Sequence, residues 1–539
     1  MDSLILFVTA MVLSMIIVPV MIRIAPRIGM VDLPDPRKVH SIPIPRVGGI
    51  GIVIGALVPV ILWLPLDPAI TSYLFGCFIL LVFGVWDDSC ELGHYVKFIG
   101  QFIAALPVVY YADLYVSVLP VFGQIPDVVG QLFSVIAIVG MINAINHSDG
   151  LDGLAGGMSM LSLACISYFM FLANDMKMFL LAISVMGGIF GFLRFNSHPA
   201  KVFMGDGGSQ FLGFTLGYLA IVLTQVSNPA LSPALPLLFL GLPIVDILAV
   251  FYLRISGGMN WFKATRNHIH HRLLDLGFSH YESVIIIYLI QMFLIICSIL
   301  FMYDYDLLIL SLYFIVTSSV FVCLTIMERK GVKANRGKEL SAVDKFINKK
   351  IKSRMVLKLF GNFVVVSIPL IFLIVCYLAV TVPDDIAYMS LFLLVCSAFT
   401  YFFLIEYFHT LNKLFFYVTA ALVVYLDFLY LEHANDLMVT LEIVIYVLIA
   451  TSIIFVIKFD DRIDFEMSPT DYLVAIIIII VFVIFNALPE NADYGYSILK
   501  LILIYYGCEI VEKRNATGFR LLNTASLLAL SILVFRALM

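Results

Sequence analysis

Carboxylates and carboxamides concentrate in one glycine-rich stretch of the chain, NAINHSDGLDGLAGG, which spans residues 143–157. Asp149 and Asp152 are three residues apart, and Asn143 and Asn146 have the same spacing, so each pair shares a face if the segment is helical. The glycines allow the backbone to approach a ligand closely. The stretch lacks the ligand pattern of a calcium EF-hand. It indicates a site for a polar ligand, with a polar loop that caps helices as the alternative.

Two more aspartates, Asp87 and Asp88, end an apolar run and open the segment DDSCELGHYVKFIGQ at residues 87–101. Carboxylates at the C-terminal end of a helix oppose the helix dipole. We therefore expect a cation to stabilise them, and Lys97 lies at the start of the next apolar run. The alternative is a solvated helix end.

A third cluster lies in RFNSHPAKVFMGDGGSQFLGF, residues 194–214, where Asp206 sits in a Gly-Asp-Gly-Gly turn before an apolar run. A glycine-rich turn that leads into a helix N-terminus favours anions. An aspartate beside it suits a hard cation that bridges to phosphate. Lys201 adds a positive charge to the same segment. The turn therefore predicts a combined phosphate and cation site.

The fourth cluster consists of basic side chains in RNHIHHRLLDLGFSH, residues 266–280, and its members are His268, His270, His271 and Arg272. A zinc site is disfavoured because no cysteine or carboxylate completes it at the usual ligand spacing. We favour a cationic or hydrogen-bonding clamp for phosphate or sugar. Asp246, an acid within an apolar run, is a further functional candidate, to which spacing assigns no role.

Together the four clusters provide carboxylates, carboxamides, cations and glycine turns, a combination that suits a divalent ion holding a diphosphate. Phosphoryl transfer needs mostly positioning and charge neutralisation, and Mg²⁺ with a few carboxylates provides both. We predict all four clusters on the same side of a membrane. A site at that edge suits one water-soluble and one lipid-borne substrate.

The elements that position these clusters belong to a membrane protein. The chain has 539 residues, of which 62% are hydrophobic and 13% charged, more apolar surface than a soluble protein of this size buries. About eighteen hydrophobic runs are long enough to span a bilayer, so we predict an all-α polytopic fold. Placing the N-terminus outside puts nearly all lysines and arginines inside, which is the positive-inside pattern.

A basic segment at residues 329–354, in which ten of 26 residues are Lys or Arg, divides the chain. We predict a catalytic membrane domain of about eleven helices at residues 1–328 and an accessory membrane domain of about seven helices, of unknown function, at residues 355–539. The basic segment between them is predicted as a cytoplasmic linker. Its alternative is an amphipathic stretch that lies on anionic headgroups.

Four motifs in chain order, FGVWDD, NAINHSDGLDGLAGG, HPAKVFMGDGGSQFLG and HIHHRL, resemble the polyprenyl-phosphate N-acetylhexosamine-1-phosphate transferases over about residues 1–325. The resemblance implies transfer of N-acetylhexosamine-1-phosphate from a UDP-sugar, UDP-GlcNAc by default, to undecaprenyl phosphate, with release of UMP. It implies an inner-membrane enzyme that faces the cytoplasm and starts a cell-surface polysaccharide. The histidine motif is more similar to the GlcNAc-type branch than to the phospho-MurNAc-pentapeptide branch, which is the alternative.

The resemblance also implies roles for the matching positions. It assigns Asp87, Asp88 and Asp206 to catalysis, and it assigns Asn146 with Asp206 to Mg²⁺, with Mn²⁺ as the alternative ion. The other matched residues are implied to bind substrate, and they are Lys97, Asn143, Asp149, Asp152, His268, His270, His271 and Arg272. Lys201 joins the substrate-binding set through its charge.

Two other classes of function stay open from the sequence. A lipid-linked sugar transporter or flippase would place acids at mid-membrane, and a non-catalytic scaffold would not need such clusters at matched membrane edges. The expected partners are the UDP-sugar, undecaprenyl phosphate and the lipid bilayer, without nucleic acid. Residues 355–539 are a candidate surface for a homodimer or a glycan-assembly partner.

Overall fold

The computed structural model describes residues 2–34, 42–258, 267–333, 354–379, 382–431, 436–459, 473, 492–514 and 516–537. The chain forms two compact units. Unit 1 is Met1–Asn335 with Ser468–Val474, and unit 2 is Arg336–Met467 with Ala475–Met539. Most of the predicted basic linker, residues 334–353, lies outside the described residues, as does the predicted apolar run near residue 479.

Unit 1 is a bundle of helices with two short antiparallel hairpins. Its helices are α1 (Asp2–Ile24), α2 (Gly48–Trp63), α3 (Pro68–Cys90), α4 (His94–Tyr110), α5 (Asp127–Ser148), α6 (Leu154–Leu172), α7 (Met176–Asn196), α8 (Gly205–Val222), α9 (Pro236–Phe239), α10 (Gly241–Ser256), α11 (Ile269–Asp275), α12 (His280–Leu300) and α13 (Asp306–Arg329). The hairpins pair β1 (Val31–Asp32) with β2 (Ile44–Pro45), and β3 (Val118–Leu119) with β4 (Gly123–Gln124).

Unit 2 is helical throughout its described residues. Its helices there are α14 (Arg354–Leu378), α15 (Asp384–Phe403), α16 (Phe408–Leu431), α17 (Asp436–Phe459), α18 (Ala492–Arg514) and α19 (Ala516–Ala537). The helix α16 packs against α18, and α14 packs against α17, α18 and α19.

Twelve helices in the described part of the chain are long and apolar enough to cross a membrane by length and composition. This finding confirms the predicted all-α polytopic class. The predicted number of about eighteen spans is not confirmed. Two of the predicted runs form the helices α2 and α10, which at 16 residues each are shorter than a typical span. The orientation with the N-terminus outside stays a prediction.

The helices α6, α7 and α8 form the interior of unit 1, and most of each is buried inside the protein. The helix α3 lies very close to α8 because both contribute a glycine where they cross. A Cβ atom on Gly84 would lie only 2.2 Å from the Cα of Gly207. A larger residue here would separate the two helices that carry the Asp87 and Asp206 motifs.

Local signals explain how the first aspartate motif is delimited. The side chain of Asp67 accepts a hydrogen bond from the amide of Ile70 over 2.9 Å and caps the start of α3. The helix ends where Glu91 adopts the left-handed conformation. Because α4 begins at His94, the chain reverses within a few residues. This reversal brings Lys97 back beside the end of α3.

Candidate active site

Three charged side chains from three helices meet in unit 1. The ammonium group of Lys97, on α4, lies 2.6 Å from Asp87 Oδ2 at the end of α3 and 2.8 Å from Asp206 Oδ2 at the start of α8. The carboxylate side chains are 9% and 22% exposed, so water screens their charges only partly. The lysine holds together two carboxylates that would otherwise repel each other.

The carboxamide of Asn146 joins this Lys97 cluster from the last turn of α5. Its Nδ2 donates to Asp206 Oδ1 over 3.1 Å and to Ser209 Oγ over 2.8 Å. The structure thus brings together the two residues to which the resemblance assigns the metal ion. The carboxamide oxygen is the atom through which Asn146 would bind a hard cation.

Asp88 occupies a different position from its neighbour Asp87. Its carboxylate oxygens accept the amides of Asp206 and Gly207 over 3.1 and 3.4 Å, and so cap the start of α8. Gly205 has a φ of +72°, and a Cβ atom there would lie 2.5 Å from Asp88 Oδ2. Both the backbone conformation and this contact therefore require glycine. These contacts support a positioning role for Asp88. Asp87, in contrast, contacts the Lys97 ammonium directly.

A chain of carboxamides continues from the Lys97 cluster. Gln210 Nε2 donates to Asp206 Oδ2 over 3.4 Å. Gln101 Nε2 in turn donates to Gln210 Oε1 over 3.5 Å. Asn143 Nδ2 then donates to Gln101 Oε1 over 2.7 Å. The described contacts of Asn143 therefore connect it to Asp206 through two glutamines.

The glycine turn after α5 places Asp149 near the carboxylates of Asp206 and Asp152. Burial, together with the charges of Asp206 and Asp152, raises the pKa of Asp149 to about 7. His270 packs on the same turn, since a Cβ atom on Gly150 would lie 2.2 Å from its Nε2. Burial lowers the pKa of His270 well below its usual value. The neutral imidazole offers hydrogen bonds to a ligand rather than a positive charge.

Asp152 is held by the loop that follows α7. Its Oδ2 lies 2.6 Å from His198 Nδ1 and accepts the amide of Ala200 over 3.1 Å. The rings of His198 and His280 stack at 4.0 Å with their planes 16° apart. Potential ligand atoms of these side chains lie within 4.8 Å of one another. Because Asp152 Oδ2 is already engaged by His198 Nδ1 and the Ala200 amide, we assign these contacts as a hydrogen-bonded clamp.

His268 is oriented by the acid within α10. Its Nδ1 lies 2.8 Å from Asp246 Oδ2, and Asp246 Oδ1 accepts the amide of Ile269 over 2.9 Å. The ring of His268 also stacks with those of His147 and His270, each at a centroid distance of 5.6 Å. Asp246 therefore fixes the ring and makes Nε2 the nitrogen that faces other groups.

Two residues of the predicted set lie apart from these contacts. Arg272 forms a bidentate pair with Glu328 on α13, with nitrogen–oxygen distances of 2.7 and 2.8 Å. It follows His270 by two residues on α11, about 200° around the helix, so the two face different neighbours. The second such residue, Lys201, is exposed. His271 stays near the site, since the centroid of its ring lies 4.2 Å from that of His270. The described contacts bring neither Arg272 nor Lys201 to the Lys97 cluster.

An apolar cavity of about 1050 Å³ adjoins the site. Polar side chains line it at the helix ends that carry the site, and they are His94, Asn143, His147, Arg254 and His268. Val118, before α5, and Thr224, after α8, line it at the opposite ends of those helices. The cavity therefore runs along α5. Its size and lining suit a hydrocarbon chain with a polar head.

Several residues that build the site were not assigned to it from the sequence. His147 and His198 lie inside two of the four family motifs, so the motifs themselves indicate these positions. The role of Asp246 depends on its contact with His268, 22 residues later. His280 contacts the backbone of Asp152 across 128 residues, a pairing that no local pattern indicates.

Comparison with known proteins identifies relatives that match about half of the chain. The family model described as "Glycosyl transferase family 4" matches residues 70–224. A Bacillus subtilis (strain 168) protein named "Probable undecaprenyl-phosphate N-acetylglucosaminyl 1-phosphate transferase" is 33% identical over 293 residues, which are 53% of this chain and 80% of that protein. The undecaprenyl-phosphate alpha-N-acetylglucosaminyl 1-phosphate transferase of Haemophilus influenzae is 32% identical over 50% of this chain and 78% of its own length. The protein with that name in Escherichia coli (strain K12) is 29% identical over 49% of this chain and 74% of its own length.

Proposed function

The chain belongs to glycosyl transferase family 4, and we propose that it catalyses the reaction for which its relatives are named. In this reaction an N-acetylhexosamine-1-phosphate, by default that of N-acetylglucosamine, passes from a UDP-sugar to undecaprenyl phosphate. The products are undecaprenyl-diphospho-sugar and UMP. Membership confirms the predicted resemblance, and the names of the relatives favour neither the pentapeptide branch nor a flippase.

The observation that carries this proposal is the meeting of Asp87, Lys97, Asp206 and Asn146 beside a large apolar cavity. Transfer of a phosphoryl group depends on positioning and on neutralisation of charge more than on a covalent group of the protein. The polar cluster suits the diphosphate of a soluble donor, and the cavity suits a lipid-borne acceptor. The two features lie at the same ends of α4 and α5.

We place the lipid acceptor in the cavity with its phosphate at the polar end. Arg254 is only 5% exposed and lines the cavity with His147 and His268. A guanidinium group binds phosphate oxygens through charge-assisted hydrogen bonds. From its charge and its position in the cavity lining, Arg254 is proposed to bind the acceptor headgroup.

In the proposed step an oxygen of the lipid phosphate attacks the β-phosphorus of the UDP-sugar. One P–O bond forms there as the bond to the bridging oxygen breaks, and UMP leaves with that oxygen. Lys97 offsets the negative charge of the phosphates, and Asp87 holds its ammonium group in place. Asp149 and the neutral ring of His270 border the donor and hydrogen-bond to its polar groups.

Mg²⁺ is the ion proposed for this site, with Mn²⁺ as the alternative. Asp206 and Asn146 would hold it, because carboxylate and carboxamide oxygens are the hard ligands that Mg²⁺ prefers. When bound, the ion supplies charge neutralisation and orientation to the diphosphate. We further propose that the site faces the cytoplasm from the inner membrane, which the positive-inside pattern supports.

The proposal is tested by UMP release from the purified full-length protein. Undecaprenyl phosphate, Mg²⁺ and a panel of UDP-sugars that includes UDP-GlcNAc and UDP-GalNAc would be supplied in nanodiscs. We expect UMP only when the lipid and one of the N-acetylhexosamine donors are both present. A monodisperse, folded preparation that releases no UMP with any donor would refute the proposed transfer.

The metal assignment needs a separate experiment. Chelation with EDTA is expected to stop UMP release, and added Mg²⁺ is expected to restore it. Turnover that persists in EDTA would contradict the metal site while leaving the transfer reaction intact. Lys97→Met is a useful companion variant, because it removes the neutralising ammonium that contacts Asp206 but retains both residues assigned to the ion.

A further inference from the structure

Unit 2 buries lysines and carboxylates inside helices that are otherwise strongly apolar. Such residues are costly within a membrane and mark proton or ion pathways more often than they serve packing alone. The relatives match about half of the chain, and the active site described above uses none of the unit 2 residues. Two clusters of charged residues, each named here after its lysine, carry the inference.

The Lys500 cluster joins three helices of unit 2. The side chain of Lys500, on α18, is 1% exposed, and its Nζ donates to Asp427 Oδ2 on α16 over 2.5 Å. The same ammonium group also lies against Glu442 on α17. Both oxygens of Glu442 are buried, and its Oε1 is the atom that lies against the ammonium group. The ring of Tyr446, one turn further along α17, lies 5.4 Å from the ammonium.

The Lys413 cluster lies toward the other ends of α16 and α18. Lys413, on α16, forms ion pairs with Glu509 and with Glu512 on α18, the latter over 3.1 Å. The hydroxyl of Tyr417 donates to the Glu509 carboxylate. The pairings of the two lysines show that α16 and α18 run antiparallel.

The two clusters lie near opposite ends of the same helix pair. Lys413 and Asp427 are separated by about 20 Å along α16, at 1.5 Å per residue, whereas the apolar part of a bilayer is about 30 Å thick. The tyrosines Tyr417 and Tyr505 lie between the clusters in sequence, and their rings are 4.4 Å apart. Polar side chains thus occur at both ends of the α16–α18 contact and between them.

The charges of the Lys500 cluster do not balance when all its groups are ionised. One ammonium group faces the two carboxylates of Asp427 and Glu442 among the described residues. A net negative charge in such surroundings is costly, and one bound proton removes it. The Lys500 ammonium contacts both carboxylates, and the second oxygen of Glu442 is buried, so Glu442 is a candidate to take this proton.

We propose that unit 2 contains a transmembrane proton pathway along α16 and α18, with the Lys500 and Lys413 clusters as its two proton-binding stations. At either face hydronium gives a proton to a carboxylate and becomes water, and release to water reverses this step. Between the stations each tyrosine hydroxyl accepts a proton as it gives one up, so no charge is left behind. The pathway is independent of the transferase reaction in unit 1.

The pathway is tested with the full-length protein in liposomes that contain a pH-sensitive dye. A potassium gradient with valinomycin sets the membrane potential. We expect proton entry above the rate of protein-free vesicles for the wild type. Glu442→Gln and Glu509→Gln are expected to lower entry to the protein-free rate. Both changes keep a carboxylate beside each lysine, so the ion pairs that hold the helices remain.

Controls separate loss of the pathway from loss of folding. Asp384→Asn removes an exposed acid at the start of α15 and is expected to conduct like the wild type. The melting temperatures of both glutamine variants are expected to stay within about 3 °C of the wild type, which verifies that unit 2 is folded. Wild-type entry no faster than protein-free vesicles overturns the proposal. Undiminished entry in either glutamine variant overturns it as well. Neither result bears on the transferase reaction, which is measured separately.

Discussion

Unit 1 and unit 2 each hold a lysine between two carboxylates, but they do so at different places on their helices. In unit 1 the residues lie at helix ends: Asp87 is in the last turn of α3, and Asp206 is the second residue of α8. In unit 2 Glu442 and Lys500 lie beyond the first turn of α17 and α18. The same charge pattern thus occurs in two structural settings.

The difference in setting explains the difference in proposed function. A helix end exposes backbone groups without partners in the helix, and the glycine turns beside it leave space for a large anion. Inside a helix the backbone is fully hydrogen-bonded and neighbouring helices close around the side chains. A nucleotide sugar suits the first setting, whereas the buried ion pairs of the second suit exchange of a proton.

The largest effect that tests this separation is expected from Asp206→Asn. The change removes the carboxylate that contacts both Lys97 and Asn146, so UMP release should fall about 10³-fold. Proton entry through unit 2 should be unchanged, and the melting temperature should stay within about 3 °C. Equal turnover in the variant would remove Asp206 from the site. A parallel loss of proton entry would show that the two units do not function independently.

Asp246 sharpens the comparison because it is the unit 1 acid whose position within a helix most resembles those of unit 2. Its partner, however, is the ring of His268 from a loop rather than a lysine from a helix. Asp246→Asn should therefore lower UMP release, by about tenfold, through loss of the ring orientation. Asp304→Asn, at an exposed position, is the matched control. Unaltered turnover in Asp246→Asn would show that the orientation of His268 does not matter.

A smaller and different effect is expected at Asp152. Its bonds to His198 and Ala200 hold the loop after α7, so Asp152→Asn should lower the melting temperature by about 3 °C. Asp149→Asn is the contrasting variant, because the carboxylate of Asp149 makes no hydrogen bond to the described residues. It should keep the melting temperature and lower turnover more than Asp152→Asn does. The reverse ranking would exchange the roles of the two aspartates.

The smallest effect is expected from Lys201→Ala. This lysine is exposed, and charges on an exposed surface contribute little to binding in physiological salt. UMP release and the Michaelis constant for the UDP-sugar should change by less than about twofold. A tenfold rise in that constant would show that Lys201 reaches the donor, and would extend the site beyond the contacts at the helix ends.

Much of the fold and of the candidate site followed from the sequence. The long apolar runs required membrane helices, because no soluble protein of this size buries so much apolar surface. The four polar motifs then selected the residues that meet at the ends of these helices, including Asp87, Asp206 and Asn146. Motif identity also led to the family, which the comparisons confirm. These conclusions depend on residue type and local spacing, which the chain carries before it folds.

The pairing of those residues was decided only by the tertiary structure. Lys97 and Asp206 are 109 residues apart, and their contact depends on glycines that let α3 and α8 approach. Local spacing likewise did not indicate that Arg272 pairs with Glu328, that Asp88 caps α8, or that unit 2 encloses the Lys500 cluster. Spacing determines which side chains share one face of one helix, but the packing of several helices determines which faces meet.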